Sequence, residues 1–286
     1  MAERFPQRIL CPVDFSEVSE AALRFAGRLA ECGQAEITVL YAHYFEAPAY
    51  FTEARIEELT REFHESRHEA ELAVAQFAHR ILPGVAVRVV VEEGAPQEAI
   101  ARAAQSEGAD VVVMGTHGRS GVSRLMLGSV AERVLRSSAI PVLTVRPAAA
   151  EAVARPRSIV CAVNDSESAR EALRYAAGLA NCFDAPLTVV HVEEKSGESG
   201  MPDLCAWLEG TKLPKCTLQE VARQGHAAEE ILRLAADTKP DLLVVGGQHR
   251  RFLDTSALGA TTAWVARHAP CPVLTVVDHG GPRHAL

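Results

Sequence analysis

Asp110 to Val130 reads DVVVMGTHGRSGVSRLMLGSV. An apolar run from Val111 to Met114 stops at Gly115, a polar loop follows, and a second segment opens at Gly128-Ser129. Val, Ile and Leu runs of this length suit a buried strand. The stretch therefore predicts a strand, a loop and then the first turn of a helix. Glycine lets the main chain approach a ligand closely. A helix start offers unpaired N–H donors and a partial positive charge, which together suit a phosphate. Arg119, inside the loop, could add a full charge. The spacing Gly115-x-x-Gly118, nine residues, Gly128-Ser129 is neither a Walker A loop nor the tighter dinucleotide turn. The same glycines could also serve only to turn the chain.

The alternation around this stretch occurs twice. ILCPVDFSEVSEAALRFAGRLAECGQAEITVL from Ile9 recurs without a gap from Ile159 as IVCAVNDSESAREALRYAAGLANCFDAPLTVV. Cys11 matches Cys161, Leu23 matches Leu173, Cys32 matches Cys182 and Thr38 matches Thr188, all 150 residues apart. Farther on, Gly94 pairs with Gly225, Asp110 with Asp241, Gly115 with Gly246 and Gly128 with Gly259. PVLTV ends both copies, at Val145 and Val276, with the offset now 131. The second copy is thus a tandem duplicate that lost 19 residues from its middle.

In the first copy the strand expectations are Arg8–Val13, Ile37–Ala42, Val85–Val91, Val111–Met114 and Val142–Val145. The helix expectations are Glu17–Glu31, Thr52–Ile81, Gln97–Glu107 and Ser129–Arg136. Apolar strands alternating with helices imply a parallel sheet covered on both faces. Right-handed crossovers then give a doubly wound sheet with a crevice at the carboxyl ends of its strands. Asp14 and the Gly115 loop would face that crevice together. The division reads as residues 1–147, a linker at 148–157 (Ala-rich, between Pro147 and Pro156), and residues 158–286. Gly197 to Pro214 replaces the long middle helix in the second copy, which leaves a sheet face to be met by the other domain or a second chain.

The whole-chain composition is that of a water-soluble protein, 48% hydrophobic and 23% charged over 286 residues. A net charge of −8 argues against a general nucleic-acid or membrane-surface role. MAERFPQRIL lacks the apolar core of a signal peptide, and no apolar run reaches membrane-spanning length. Seven cysteines without CxxC pairs read as reduced, mostly buried thiols in the cytoplasm.

PVDFS at Pro12–Ser16, VMGTHG at Val113–Gly118, LMLGSV at Leu125–Val130 and the closing PVLTV of each copy resemble the universal stress protein family, in its tandem two-domain form. The match covers essentially the whole chain. The resemblance implies two Rossmann-like (adenine nucleotide alpha hydrolase-like) α/β domains, each a five-stranded parallel sheet flanked by helices. In that family the Gly-x-x-Gly-x9-Gly-Ser/Thr pattern marks members that bind ATP. Carried over by position, Pro12, Val13 and Asp14 match the strand-one wall, with Asp14 available to the adenosine or a metal such as Mg2+ or Mn2+. Ala42 matches the position packing on adenine, and Met114 and Gly115 the floor. Gly118, Arg119, Gly128, Ser129 and Val130 match the phosphate loop and helix start. Asp14 could instead serve only as a turn or helix cap before Ser16. In the second copy Asn164 replaces Asp14, His249 replaces Gly118 and Ala260 replaces Ser129, with Thr261 one residue on. One nucleotide per chain is the expectation.

His64-Glu65-Ser66-Arg67-His68 fits H-E-x-x-H, the zinc spacing on a helix, but it lies in a segment rich in Glu and Arg that reads as a solvated face. His43 and Tyr44 could border the nucleotide. Cys205 and Cys216 read as packing. The functional expectation is a cytoplasmic ATP-binding regulatory or stress-response protein with no catalytic residue assigned, and with a regulatory protein partner left unidentified. A slow ATP hydrolase or phosphotransferase is the alternative, weakened by the lack of a loop lysine and an evident base. A dimerisation module with a vestigial site is a third reading. The resemblance also implies pairing through the fifth strand. Here Val142–Val145 and Val273–Val276 could pair within one chain, and two chains could then form a homodimer.

Overall fold

The computed structural model describes residues 5–44, 66–118, 127–146, 155–193, 207–208, 210–211, 213–214, 216–247, 249–252 and 255–277. The first half runs β1 Arg8–Val13, α1 Glu17–Gly33, β2 Glu36–His43, α2 Arg67–Ile81, β3 Val87–Glu93, α3 Pro96–Ser106, β4 Val111–Gly115, α4 Ser129–Ser137 and β5 Val142–Val145. The second runs β6 Ile159–Val163, α5 Glu167–Phe183, β7 Leu187–Glu193, β8 Leu218–Gln224, α6 Ala227–Thr238, β9 Leu242–Gly247, β10 His249–Phe252, β11 Thr255–Leu258, α7 Ala260–His268 and β12 Val273–Val277. The expected strands and helices all appear, with ends shifted by one or two residues. The exception is the middle helix, which is described only from Arg67; its expected residues 52–65 lie outside the described residues.

Each half is a parallel five-stranded sheet, ordered β3-β2-β1-β4-β5 and β12-β9-β6-β7-β8. The order reverses beside β1, where a crevice opens at the carboxyl ends of neighbouring strands. The halves join through β5 and β12, which pair antiparallel with Leu143 opposite Leu274, making one ten-stranded sheet. The fifth-strand edge is therefore satisfied within the chain, as the sequence suggested.

Alternation along the strands decides which residues face which helices. Ile9, Cys11 and Val13 join α1, α2 and α5 in one apolar layer, while Leu10, Val112 and Met114 join α3, α4, α6 and α7 in the other. Both layers run unbroken across the two halves.

The repeat is legible at the level of single hydrogen bonds. Ser16 and Ser166 cap α1 and α5 by accepting the N–H groups of Ser19 and Ala169. This side-chain acceptor satisfies an orphan donor of the first turn. Asp110 accepts the N–H groups of Gln7 and Arg8 at 2.9 and 3.0 Å, and Asp241 those of Arg157 and Ser158 at 2.8 and 3.2 Å. A carboxylate thus ties the start of the first strand to the start of the fourth in both copies. Where the second copy is shortened, Trp207 is buried in the layer that contains α5, with the Arg170 guanidinium 4.6 Å from its ring centre.

One expectation fails. Cys32 and Cys182 are not reduced thiols but a disulfide, with Cα atoms 5.7 Å apart. Cys11, Cys161 and Cys271 are buried free thiols, which burial pushes up, Cys271 to about 12. Cys216 is half-buried against the same layer as Trp207, and Cys205 lies outside the described residues.

Candidate functional site

β1 ends at Val13, and the chain turns through Asp14-Phe15-Ser16 into α1. The Asp14 carboxylate closes this turn by accepting the Ser16 N–H at 3.1 Å and the Ser16 hydroxyl at 2.5 Å through Oδ1. Such a side-chain turn replaces backbone pairing at a strand-to-helix corner. Phe15 sits at a φ of 64°, the left-handed region that non-glycine residues seldom adopt. Its ring packs against Tyr41 and Phe77, centroids 5.1 and 5.3 Å away, and this aromatic contact holds the unfavourable backbone in place.

β4 delivers Met114 and Gly115 to the same end of the sheet. A Cβ on Gly115 would lie 2.8 Å from Val18 of α1, so glycine lets that helix pack close. Thr116 bonds back to β5 through its N–H to the Val145 carbonyl at 2.9 Å. Its own carbonyl accepts the Gly128 N–H at 2.6 Å. This last bond brings the start of α4 to the end of β4, and a Cβ on Gly128 would meet the Thr116 carbonyl at 3.0 Å. A Cβ on Gly118 would overlap Asp14 Oδ2.

Between these walls lies a cleft of about 680 Å3, within the roughly 300–1,000 Å3 of ordinary small-molecule sites. Pro12, Val13, Asp14, Ala42, Met114, Gly115, Gly118, Gly128, Ser129 and Val130 all line it. Ten of the eleven positions singled out from the sequence thus converge on one cavity; the eleventh, Arg119, lies outside the described residues. Tyr41, Ile100, Thr116 and His117 also line the cleft and were not anticipated. Tyr41 alternates with Leu40 along β2, so a period-two reading could have found it. His43 ends β2 with its ring 6.1 Å from Tyr41, and it and Tyr44 are outside the cleft lining among the described residues.

The electrostatics favour an anion at one end. Gly128 is the N-cap of α4 and brings no side-chain acceptor, so the first N–H groups of that helix lack a capping oxygen. Ser129, at the first helical position, is exposed. His117 bonds the Thr116 hydroxyl through Nδ1 at 2.9 Å. Burial, then the Arg146 charge, hold its imidazole below the usual histidine value, so it is neutral at pH 7.

Arg146 was not anticipated. It is buried at the end of β5, and its guanidinium donates to the carbonyls of Ala266 and Arg267 in the last turn of α7. A cation there satisfies orphan carbonyls and the negative end of the helix dipole. Arg267 returns the link by donating to Glu132 of α4 at 3.0 Å. The helix that ends the cleft is thereby tied to the other half of the chain.

The corresponding crevice in the second half is built differently. After β9, His249–Phe252 and Thr255–Leu258 pair as an antiparallel hairpin, which was not foreseen. The Thr262 hydroxyl, one residue beyond Thr261, donates to the Gly246 carbonyl at 2.8 Å. A Cβ on Gly246 would meet the backbone of Ser168 and Ala169 at 2.8–2.9 Å.

Of the H-E-x-x-H pair, His64 lies outside the described residues. His68 is exposed on α2, with Glu71 at 3.8 Å. Among the described residues, no helix is long and apolar enough to cross a membrane.

The universal stress protein family model matches residues 6–146 and again 156–277. Universal stress protein MJ0531 of Methanocaldococcus jannaschii is 34% identical over 148 residues, covering 50% of this chain and 84% of that protein. A universal stress protein of Mycolicibacterium smegmatis is 27% identical over 94% of this chain and 96% of its own length. The crystal structure of a universal stress protein from Archaeoglobus fulgidus superposes over 95% of this chain and 98% of its own, with a TM-score of 0.74 and 24% identity, a likeness of fold. With both halves matched by the model, the chain belongs to the universal stress protein family as a tandem, two-domain member.

Proposed function

We propose that residues 1–147 bind one ATP, as a regulatory site rather than an enzyme's active site, and that residues 158–286, joined by the linker 148–157, form a non-binding partner domain. One observation carries the reading. The glycines at 118 and 128, the uncapped start of α4 and the Asp14 carboxylate surround a single cleft of nucleotide size. Adenine would lie between Val13, Ala42 and Met114, and the phosphates would run toward Gly128-Ser129. There the N–H groups and the Ser129 hydroxyl can donate to phosphate oxygens. Asp14 Oδ2, directed at Gly118, is placed for the ribose or for a Mg2+ or Mn2+ ion carried by the phosphates. A Cβ at Gly118 would press on Asp14, and one at Gly128 on the Thr116 carbonyl, so both positions keep the loop close to the cleft wall only as glycine.

The second half supports the one-site reading. Asn164 removes the carboxylate and Ala260 the hydroxyl, and after β9 the chain pairs as the β10–β11 hairpin. The difference between the ATP-loaded and the empty cleft is the signal a protein partner would read. A homodimer of whole chains would use surfaces other than the fifth strand.

Calorimetric titration with ATP and magnesium tests this, beside a Gly118→Val, Ser129→Ala double variant. The expected result is about one site per chain, lost in the variant. Two equivalent sites, or unchanged binding by the variant, would overturn the proposal.

A further inference from the structure

We infer that Cys32 and Cys182 form a reversible redox site that fastens the two halves of the sheet together, taking hydrogen peroxide or a low-molecular-weight disulfide as its oxidant. The two cysteines are the same residue of the repeat, 150 positions apart. Their meeting follows from the pseudo-two-fold axis of the duplicated chain. Leu143 lies opposite Leu274 in the central ladder. Beneath them, Phe25 and Tyr175, Leu29 and Leu179, and Val111 and Leu242 line one small apolar gap, each residue with its own repeat mate. These pairs mark where the axis runs. α1 and α5 flank it, and a residue near the axis on one helix must face its copy on the other. Cys32 and Cys182 stand in the last turns of those helices, with a Cα separation inside the range a disulfide spans without moving backbone.

This pair differs from Cys11, Cys161 and Cys271 in access. Cys11, Cys161 and Cys271 are buried within the apolar layers, whereas Cys32 and Cys182 are only half-buried at the helix ends. Arg155 donates to the Cys182 carbonyl at 2.7 Å, which fixes the last turn of α5 at the pair. The bond also spans a join that is otherwise short. The β5–β12 ladder has three residue pairs, supported by the Arg146 and Arg267 links on the opposite face.

The chemistry balances without any further group. One thiolate attacks a peroxide oxygen, the S–O bond forms, the O–O bond breaks and hydroxide leaves as water. The second thiolate attacks the resulting sulfenic sulfur, the S–S bond forms and the S–O bond breaks, releasing a second water. Two thiols and one peroxide thus give a disulfide and two waters. An external dithiol returns both electrons by exchange through a mixed disulfide.

The test uses the full chain. Native protein is reduced with dithiothreitol, desalted and treated with stoichiometric hydrogen peroxide. Free thiols are then alkylated after denaturation and located by peptide mass spectrometry, and melting is followed in both states. Loss of two alkylation sites at Cys32 and Cys182 alone, restored by dithiothreitol without unfolding, is the expected result. The cross-link encloses about 150 residues, so the oxidised state should melt roughly 5–15 °C higher. Cys32→Ser and Cys182→Ser should each abolish that gap while melting like the reduced parent. Both thiols staying alkylatable after peroxide, a bond that resists dithiothreitol in the native state, or equal melting of the two states would overturn the inference.

Discussion

Replacing Gly118 with alanine adds one methyl group, and the structure says what that methyl meets. The backbone at Gly118 lies outside the left-handed region, so alanine suffers no conformational penalty and its whole cost is contact. The new Cβ would overlap Asp14 Oδ2. Turning the carboxylate away also turns Oδ1, which holds the Ser16 N–H at 3.1 Å and the Ser16 hydroxyl at 2.5 Å. A hydrogen bond to a charged group contributes about 1.5–3 kcal/mol. Loss of one such bond in the closed, ligand-bound arrangement therefore weakens ATP binding about 10- to 150-fold. In the free protein no ligand holds residue 118 against Asp14, so melting should change little. Calorimetry on the parent, Gly118→Ala, Asp14→Ala and the double variant completes a mutant cycle. With the carboxylate gone the methyl has room, and the double variant should bind no worse than Asp14→Ala alone. Binding by Gly118→Ala within about twofold of the parent would refute the reasoning. So would a penalty that persists in full in the Asp14→Ala background.

Leu143→Ala opens a cavity at the centre of the join, opposite Leu274. It should cost about 2–5 kcal/mol and lower the melting of both halves together in scanning calorimetry; a loss confined to the first half would contradict the continuous core. Gly246→Ala drives a Cβ into the backbone of Ser168 and Ala169, while a Cβ at Gly115 comes closest to the Val18 side chain and reaches the backbone only at the His117 carbonyl, 3.4 Å away. The former should cost about 1–3 kcal/mol in urea unfolding and the latter less, and equal losses would argue against this difference in packing. The His117 proton is bound less readily in the folded protein than in the unfolded chain, because burial and then Arg146 lower its affinity. Its stability contribution is therefore complete above the usual value near 6.5 and is lost as pH falls from there toward the lowered folded value. His117→Gln should flatten the stability profile between about pH 7 and 5, and an unchanged slope would exclude His117 as its source.

Much of this molecule was readable in its residues. Apolar runs of strand length between amphipathic segments require a parallel sheet covered on both faces. The doubled Ile9 and Ile159 segments require two such units. Gly115, Gly118 and Gly128 mark places where the chain must pass close to something, and all three lie at the cleft. These features are local, set by residues within a turn or two of one another, so they leave a pattern in the sequence. The tertiary structure alone decided what depends on distance across the fold. Cys32 and Cys182 looked like two more scattered thiols, because a disulfide needs two Cβ atoms brought face to face and no spacing along the chain records that. Arg146 resembled any charged residue ending a strand until α7 placed bare carbonyls against it. The β10–β11 hairpin formed where the glycine pattern had only decayed, because pairing backbone groups across a turn asks little of side-chain identity. Residues fixed the elements and the walls of the cleft, and the pseudo-two-fold axis fixed which distant residues touch.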